Sequence, residues 1–135
     1  MRGLRRGVAV AVAAGTLMII GSTATAWAQA AGEWKAPPAE AAKKNPAKGV
    51  SEKTKSDIQT NCTPCHGPGG KGDGPAAAAL NPKPANWTSD RVQKESDGEL
   101  FWKISNGRGP MPPWKHLPEN ERWEIVNYLR TLKGK

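Results

Sequence analysis

Cys62-Thr63-Pro64-Cys65-His66 is a CxxCH run. The two-residue spacing puts both thiols on one side of a single backbone turn, and the next residue directs an imidazole toward the same side. Chains attach haem c by this pattern, with the thiols bonded to the porphyrin vinyl groups and the histidine bound to iron. The sequence therefore predicts one covalent haem c, attached through Cys62 and Cys65, with His66 as an axial iron ligand.

Three other uses of the paired cysteines are open. A thiol–disulfide redox motif is expected beside a βαβ pattern, and no strand-rich run flanks this pair. A structural zinc site usually takes four Cys or His ligands, and the chain offers only Cys62, Cys65, His66 and His116. A disulfide is chemically possible in an exported protein, but closing so short a loop removes little chain entropy. Because each alternative lacks its expected sequence context, haem attachment is the interpretation that we adopt.

Haem c is attached outside the cytoplasm, and the N-terminus carries a pattern typical of an export signal. Arg2, Arg5 and Arg6 precede the apolar run Val8–Ile20, and small residues offer cleavage near residue 28 or 30. We therefore predict a signal peptide over residues 1–30 and a periplasmic mature protein. The alternative is an uncleaved membrane anchor, because residues 7–28 are about long enough to span a bilayer, which needs about 20 residues.

Basic residues exceed acidic ones, with 20 Lys and Arg against 12 Asp and Glu. Three of the basic residues and none of the acidic ones lie in the predicted signal, so residues 31–135 keep 17 against 12, a net charge of +5. A moderate positive charge suits redox protein partners with acidic docking surfaces, or an anionic membrane surface. Nucleic acid is a poor candidate, because the chain is exported and its basic residues form no stripe with interleaved aromatics.

Two segments are predicted beyond the signal. Residues 31–50 are rich in Ala, Pro and Lys, which predicts an extended or disordered leader or linker in which only Trp34 looks able to pack. Residues 51–135 are long enough for one small domain with a thin core, which a covalently held porphyrin would complete.

Helix signals dominate this domain. Ser51 caps a predicted helix over residues 51–61, and Ser96-Asp97-Gly98-Glu99 is a capping box for a helix that ends before Gly107. A last helix is predicted from Pro118 to Leu132, with apolar residues at the spacing of one face. Since no segment alternates like a strand, we predict an all-α fold of three to four helices and long loops around one haem.

The proline-rich loop before the last helix supplies a second axial ligand. Met111 has a proline on each side and is the only methionine outside residues 1–30, where Met1 and Met18 lie. A thioether on a stiff loop suits the position opposite His66 in six-coordinate haem. The rival ligand is His116, which would lower the reduction potential, and we interpret it as a surface loop residue.

In these features the chain resembles the class I c-type cytochromes, the small bacterial monohaem carriers and the cytochrome c domains of larger oxidoreductases. The resemblance covers Ser51 to Leu132. It is carried by four stretches in order: Cys62-Thr63-Pro64-Cys65-His66-Gly67, Gly72-Asp73-Gly74-Pro75, Gly107-Arg108-Gly109-Pro110-Met111-Pro112, and Trp123 to Leu132.

The resemblance implies that the first and last helices cross next to the haem and that a third helix packs beneath the methionine loop. It implies that the Pro75 carbonyl accepts the Nδ1 proton of His66, and that Trp87 contacts a haem propionate. The family commonly has glycine where this chain has Thr54 and an aromatic residue where it has Ile58, so we expect a wider crossing or a shifted first helix.

These observations predict a one-electron carrier rather than an enzyme. With both axial positions filled, the iron cycles between two oxidation states without binding a substrate. Two alternatives stay open at this point. The chain could be the haem c subunit of a larger oxidoreductase complex, or a ligand-binding haem sensor or enzyme in which Met111 is labile.

Overall fold

The computed structural model of the protein describes residues 34–135, and the predicted export signal lies outside them. Over this range the chain forms helices and loops without a β-sheet, so the all-α prediction is confirmed. Six α-helices occur in order: α1 Pro38–Ala41, α2 Glu52–Asp57, α3 Thr63–His66, α4 Asp90–Gln93, α5 Asp97–Asn106 and α6 Glu119–Thr131. None of the helices in residues 34–135 has the length and apolar character needed to cross a membrane.

A π-helical turn, Ile58–Cys62, joins α2 to α3, so the haem motif stands at the end of one continuous helical run. The predicted start of this run is confirmed, because Ser51 is the N-cap and its side chain accepts a hydrogen bond from the Thr54 amide. The π turn itself was not predicted. Such turns are frequent at functional sites, because the extra residue per turn changes which side chains face inward.

Helices α5 and α6 match their predictions closely. The Ser96 hydroxyl caps α5 by accepting from the Glu99 amide at 3.1 Å, and Gly107 ends it. Pro118 is the N-cap of α6 rather than its first helical residue. The two helices supply most of one hydrophobic core, in which Phe101 stacks on Trp123 with ring centroids 3.8 Å apart.

A polar clamp holds α2 against α6 where the family commonly has a close glycine contact. Thr54 is fully buried there, and its hydroxyl donates to a Glu124 carboxylate oxygen at 2.6 Å. The Ser51 hydroxyl and amide donate to the same oxygen, at 2.6 and 2.9 Å. Three donors on the first turn of α2 therefore converge on one carboxylate of α6, and we call this group the Glu124 clamp.

Residues 34–50 of the leader contact the domain, although their composition is typical of an extended or disordered linker. The Ala36 amide donates to both carboxylate oxygens of Glu99 at 3.0 Å, and α1 packs on α5. A side chain at Gly98 would collide with the backbone carbonyls of Glu40 and Ala41, so this glycine permits the close approach. Composition indicated a free leader because these contacts are made mainly by backbone groups.

Farther along, the leader is bound to α6 by asparagine side chains. Asn127 donates to the carbonyls of Ala47 and Gly49, both at 3.0 Å. Asn45 donates to the Trp123 carbonyl at 3.2 Å and to the Asn127 side chain at 2.9 Å. Residues 34–50 therefore wrap two helices of the domain before α2 begins.

Candidate haem site

Both cysteines of the motif lie near the core, half-buried, at the junction of the π turn and α3. Cys62 ends the π turn and packs against the hydrophobic core. Burial, with a smaller contribution from the nearby Asp57 carboxylate, raises the pKa of the Cys62 thiol to about 11. At neutral pH this thiol is therefore protonated in the folded chain.

His66 is buried, and one of its ring nitrogens has a fixed partner. Nδ1 lies 3.0 Å from the carbonyl oxygen of Ala85. A carbonyl only accepts, so Nδ1 carries the proton and the Nε2 lone pair remains for iron. Burial also lowers the pKa of His66, which keeps the imidazole in the neutral form that a metal ligand needs.

The acceptor is Ala85, so the prediction that the Pro75 carbonyl orients His66 is wrong. Pro75 is exposed, and the neighbouring Ala76 amide is hydrogen-bonded to the Pro64 carbonyl at 2.9 Å, next to the motif cysteines. Ala85 reaches the imidazole because the chain returns just beyond it, where the Trp87 amide donates to the Gly70 carbonyl at 2.7 Å. Ala85 acts only through its backbone, and no side-chain pattern in the sequence marks it.

Trp87 packs face to face on the His66 imidazole, with ring centroids 4.2 Å apart and an interplanar angle of 21°. The indole is buried in the hydrophobic core and therefore fixes one face of the histidine ring. Sequence reasoning singled out Trp87 for a propionate, and that contact stays a prediction. Its stacking on His66 was not predicted, and it gives Trp87 a means of orienting the imidazole.

Met111 stands in a closed backbone loop. The Arg108 amide donates to the Met111 carbonyl at 2.9 Å and the Met111 amide returns a bond to the Arg108 carbonyl at 3.0 Å. We call residues 107–114 the Met loop. At its start Gly107 has a φ of +63°, and a side chain there would collide with the Met111 carbonyl and with Pro112. The end of the loop is tied to α5, because the Trp114 amide donates to the Ile104 carbonyl at 3.1 Å.

His116, the rival ligand, is exposed on the loop before α6, as the sequence interpretation expected. Its ring lies 5.3 Å from that of Trp114 in a tilted arrangement. Among residues 34–135, Met111 packs against the hydrophobic core and His116 does not.

These residues fit a haem held as the motif predicts. Cys62, Trp87 and Met111 all border one hydrophobic core, and His66 joins it through the Trp87 stack. The donor set comprises two thiols on one helical turn, a neutral imidazole with a fixed tautomer and a thioether on a tied loop. Haem, when bound, supplies an iron that exchanges one electron.

A family model described as Cytochrome C oxidase, cbb3-type, subunit III matches residues 50–129. Among solved structures, the chain is similar to a chain of the Kuenenia stuttgartiensis reducing HAO-like protein complex, with 28% identity and a TM-score of 0.58. That match covers 67% of this chain and 46% of the other, so the chain spans about half the length of this structural relative. A search of curated proteins found no match. Since the family model covers more than half of the sequence, the chain belongs to the cbb3-type cytochrome c oxidase subunit III family and is a class I c-type cytochrome.

Proposed function

We propose that this protein is an exported, periplasmic one-electron carrier with a single haem c. Cys62 and Cys65 form the thioethers, and His66 and Met111 are the axial ligands. The observation that carries the proposal is the fixed His66 imidazole, with Nδ1 held by Ala85 at 3.0 Å and one ring face covered by Trp87. A preorganised ligand favours electron transfer, because little has to move when the iron changes its oxidation state.

The Met loop supports the same function because it holds the second proposed ligand in place. Its two backbone hydrogen bonds and its tie to α5 hold Met111 against the core. A thioether favours the reduced iron and raises the reduction potential relative to a second imidazole. A stiff loop also hinders ligand exchange, which makes a gas sensor or a peroxide-using enzyme the weaker interpretation.

A specific observation favours a second candidate, the haem c subunit of a larger oxidoreductase complex. The matched family is described by an oxidase subunit, and the similar structure is a chain of a protein complex. In that role the same site would pass electrons within one assembly instead of between free partners. The two candidates share the haem chemistry. A free carrier should be purified alone, whereas a complex subunit should be purified together with other chains.

An absorption spectrum of the exported protein tests the ligand set. We expect a c-type α-band on reduction, a weak near-infrared sulfur-to-iron band on oxidation, and no response to carbon monoxide. Met111→Ala should remove the sulfur band, lower the potential and allow carbon monoxide to bind. His116→Ala is the matched control on the neighbouring loop and should leave all three features unchanged.

The opposite result would overturn the assignment. If His116→Ala changed the spectrum and Met111→Ala did not, His116 would be the sixth ligand. The mass of the purified protein reports separately on signal cleavage and on the number of haems, since each attached haem adds a fixed increment.

A further inference from the structure

A groove of about 370 Å³ opens between α1, α5 and the loop that leads into α6. Phe101 and Trp102 of α5 are among its lining residues. Asn106 and Lys115, which directly flank the Met loop in sequence, also line it. We call this cavity the α5 groove.

Arg122 is held in a fixed position in this groove. Its Nε donates to the Leu117 carbonyl at 3.2 Å, its Nη1 donates to the Ser105 hydroxyl, and its guanidinium lies 4.8 Å from the Phe101 ring centroid. Both polar partners are uncharged. A guanidinium has five N–H donors, so three remain after these two bonds.

Within residues 34–135 no carboxylate forms an ion pair with Arg122. Arg130, by contrast, is paired with Asp97 at 2.7 Å. A half-buried, immobilised guanidinium with free donors and no ion pair within residues 34–135 is preorganised for an external carboxylate, which it can bind through two parallel hydrogen bonds.

The charged groups that line the groove carry a net positive charge. Lys43 is neutralised locally by Glu40 at 2.8 Å. Lys115 is exposed and adds a second positive charge beside Arg122, whereas Glu119 accepts a hydrogen bond from the Trp123 indole at 3.4 Å. The groove therefore holds three cations against two carboxylates, which suits an acidic ligand.

We propose that the α5 groove binds an acidic segment of the protein's redox partner, with Arg122 as the anchoring residue. The inference rests on the proposed electron-transfer function, since it names the surface and the partner chemistry for that function. A partner segment in the groove contacts residues on both sides of the Met loop, which carries the proposed ligand. The wall formed by α1 lies outside the residues that match the family model, so it is an addition to the shared domain.

An NMR titration of the reduced, exported holoprotein tests this proposal, with a hexaglutamate peptide as the probe at low ionic strength. We expect saturable shifts at the backbone amides of residues 105–106 and 115–122 and at the Trp102 indole. Lys115→Glu should weaken peptide binding about three- to tenfold, the size expected for reversing one partly screened surface charge. Arg122→Lys keeps the charge but loses the forked donors, and should weaken binding by about tenfold.

The control is Lys94→Glu, which makes the same charge reversal on an exposed lysine that does not line the groove. It should change the affinity less than twofold. Equal weakening by Lys94→Glu, shifts centred elsewhere, or a response that does not saturate would overturn the proposal. The proposal would also be overturned if inorganic phosphate at matched ionic strength saturated the same amides and displaced the peptide. The groove would then be a small-anion site.

Failure of the electron-transfer function would be seen separately. Lys115→Glu should leave the sulfur-to-iron band and the α-band unchanged, so a wild-type protein without those bands refutes the ligand set. Normal bands without groove binding refute only the docking site.

Discussion

Replacing Glu124 with Gln tests the clamp that joins α2 to α6. The hydroxyls of Ser51 and Thr54 and the Ser51 amide all donate to one Glu124 oxygen, and Asn120 donates to the other at 2.9 Å. These donors, the Ser51 hydroxyl first, lower the pKa of Glu124 from 4.5 to about 2. The glutamine variant keeps the shape but removes the charge, so it measures the charge-assisted part of the clamp.

The stability that ionised Glu124 contributes, and the pH range over which it is lost, follow from that pKa. A displacement from 4.5 to about 2 corresponds to roughly 3 kcal/mol, and solvent screening at this partly exposed site reduces the expected contribution to about 1.5 kcal/mol. The folded pKa lies below the unfolded one, so this stability is fully present above pH 4.5 and is lost as the pH falls toward 2. Glu124→Gln should therefore lower the free energy of unfolding by about 1.5 kcal/mol at pH 7.

Urea unfolding of the oxidised holoprotein at pH 7 and at pH 3 measures this difference. The gap between wild type and Glu124→Gln should narrow at pH 3. Glu52→Gln is the matched control, because the Glu52 side chain is 88% exposed and pairs only with Lys55 in this region, so it should cost less than about 0.5 kcal/mol. A gap that is the same at both pH values would refute the charge argument, and no gap at pH 7 would refute the clamp.

Three further predictions concern glycine and carboxylate positions. Gly107→Ala should cost about 1 to 3 kcal/mol and weaken the sulfur-to-iron band, because the new side chain collides with the Met loop. Gly109→Ala has a similarly positive φ with open space around it, so it should leave the band intact, and equal spectra for both variants would contradict this account. Burial, with the neighbouring Asp57, raises the pKa of Glu121. Ionisation of Glu121 therefore destabilises the fold as the pH rises above 4.5. Glu121→Gln should match or exceed the wild-type free energy of unfolding at pH 7, measured by urea unfolding. The amide of residue 36 donates to the Glu99 carboxylate, so Glu99→Gln should speed hydrogen exchange at that amide by about tenfold. The haem spectrum should stay unchanged. Unchanged exchange would mean that the leader is held by other contacts.

The parts of the fold that the sequence predicts best are those with a local chemical signal. Ser96 and Gly107 mark both ends of α5, and the structure ends the helix at those residues, because capping depends on side chains a few positions apart. The π turn before Cys62 has no such signal, since its residues would equally suit an α-helix. The helix after Ser51, α5 and α6 were predictable from the sequence, whereas α1, α4 and the π turn at the motif were not.

The residues of the candidate site also differ in how well the sequence predicts them. The motif cysteines, His66 and Met111 are proposed from residue type, because thiols, imidazoles and thioethers bring their own chemistry. Ala85 was missed and Pro75 was chosen in its place, because a carbonyl acceptor belongs to every residue and its position depends on how a loop returns. A contact made by the backbone over 19 residues of sequence leaves no trace in composition.

The leader is a second segment whose contacts depend on backbone groups and were not predicted from the sequence. Its composition resembles that of disordered linkers, and the family model begins only at residue 50, yet backbone groups from residue 36 onward bind α5 and α6. Ala, Pro and Lys supply few apolar contacts, so the segment is ordered by acceptors and donors on the domain, such as Glu99 and Asn127. In the sequence Glu99 indicates only a capping box, and nothing marks Asn127 as a partner of the leader. The domain of this chain therefore extends beyond the shared family core, and the added segment forms one wall of the groove where partner specificity is proposed.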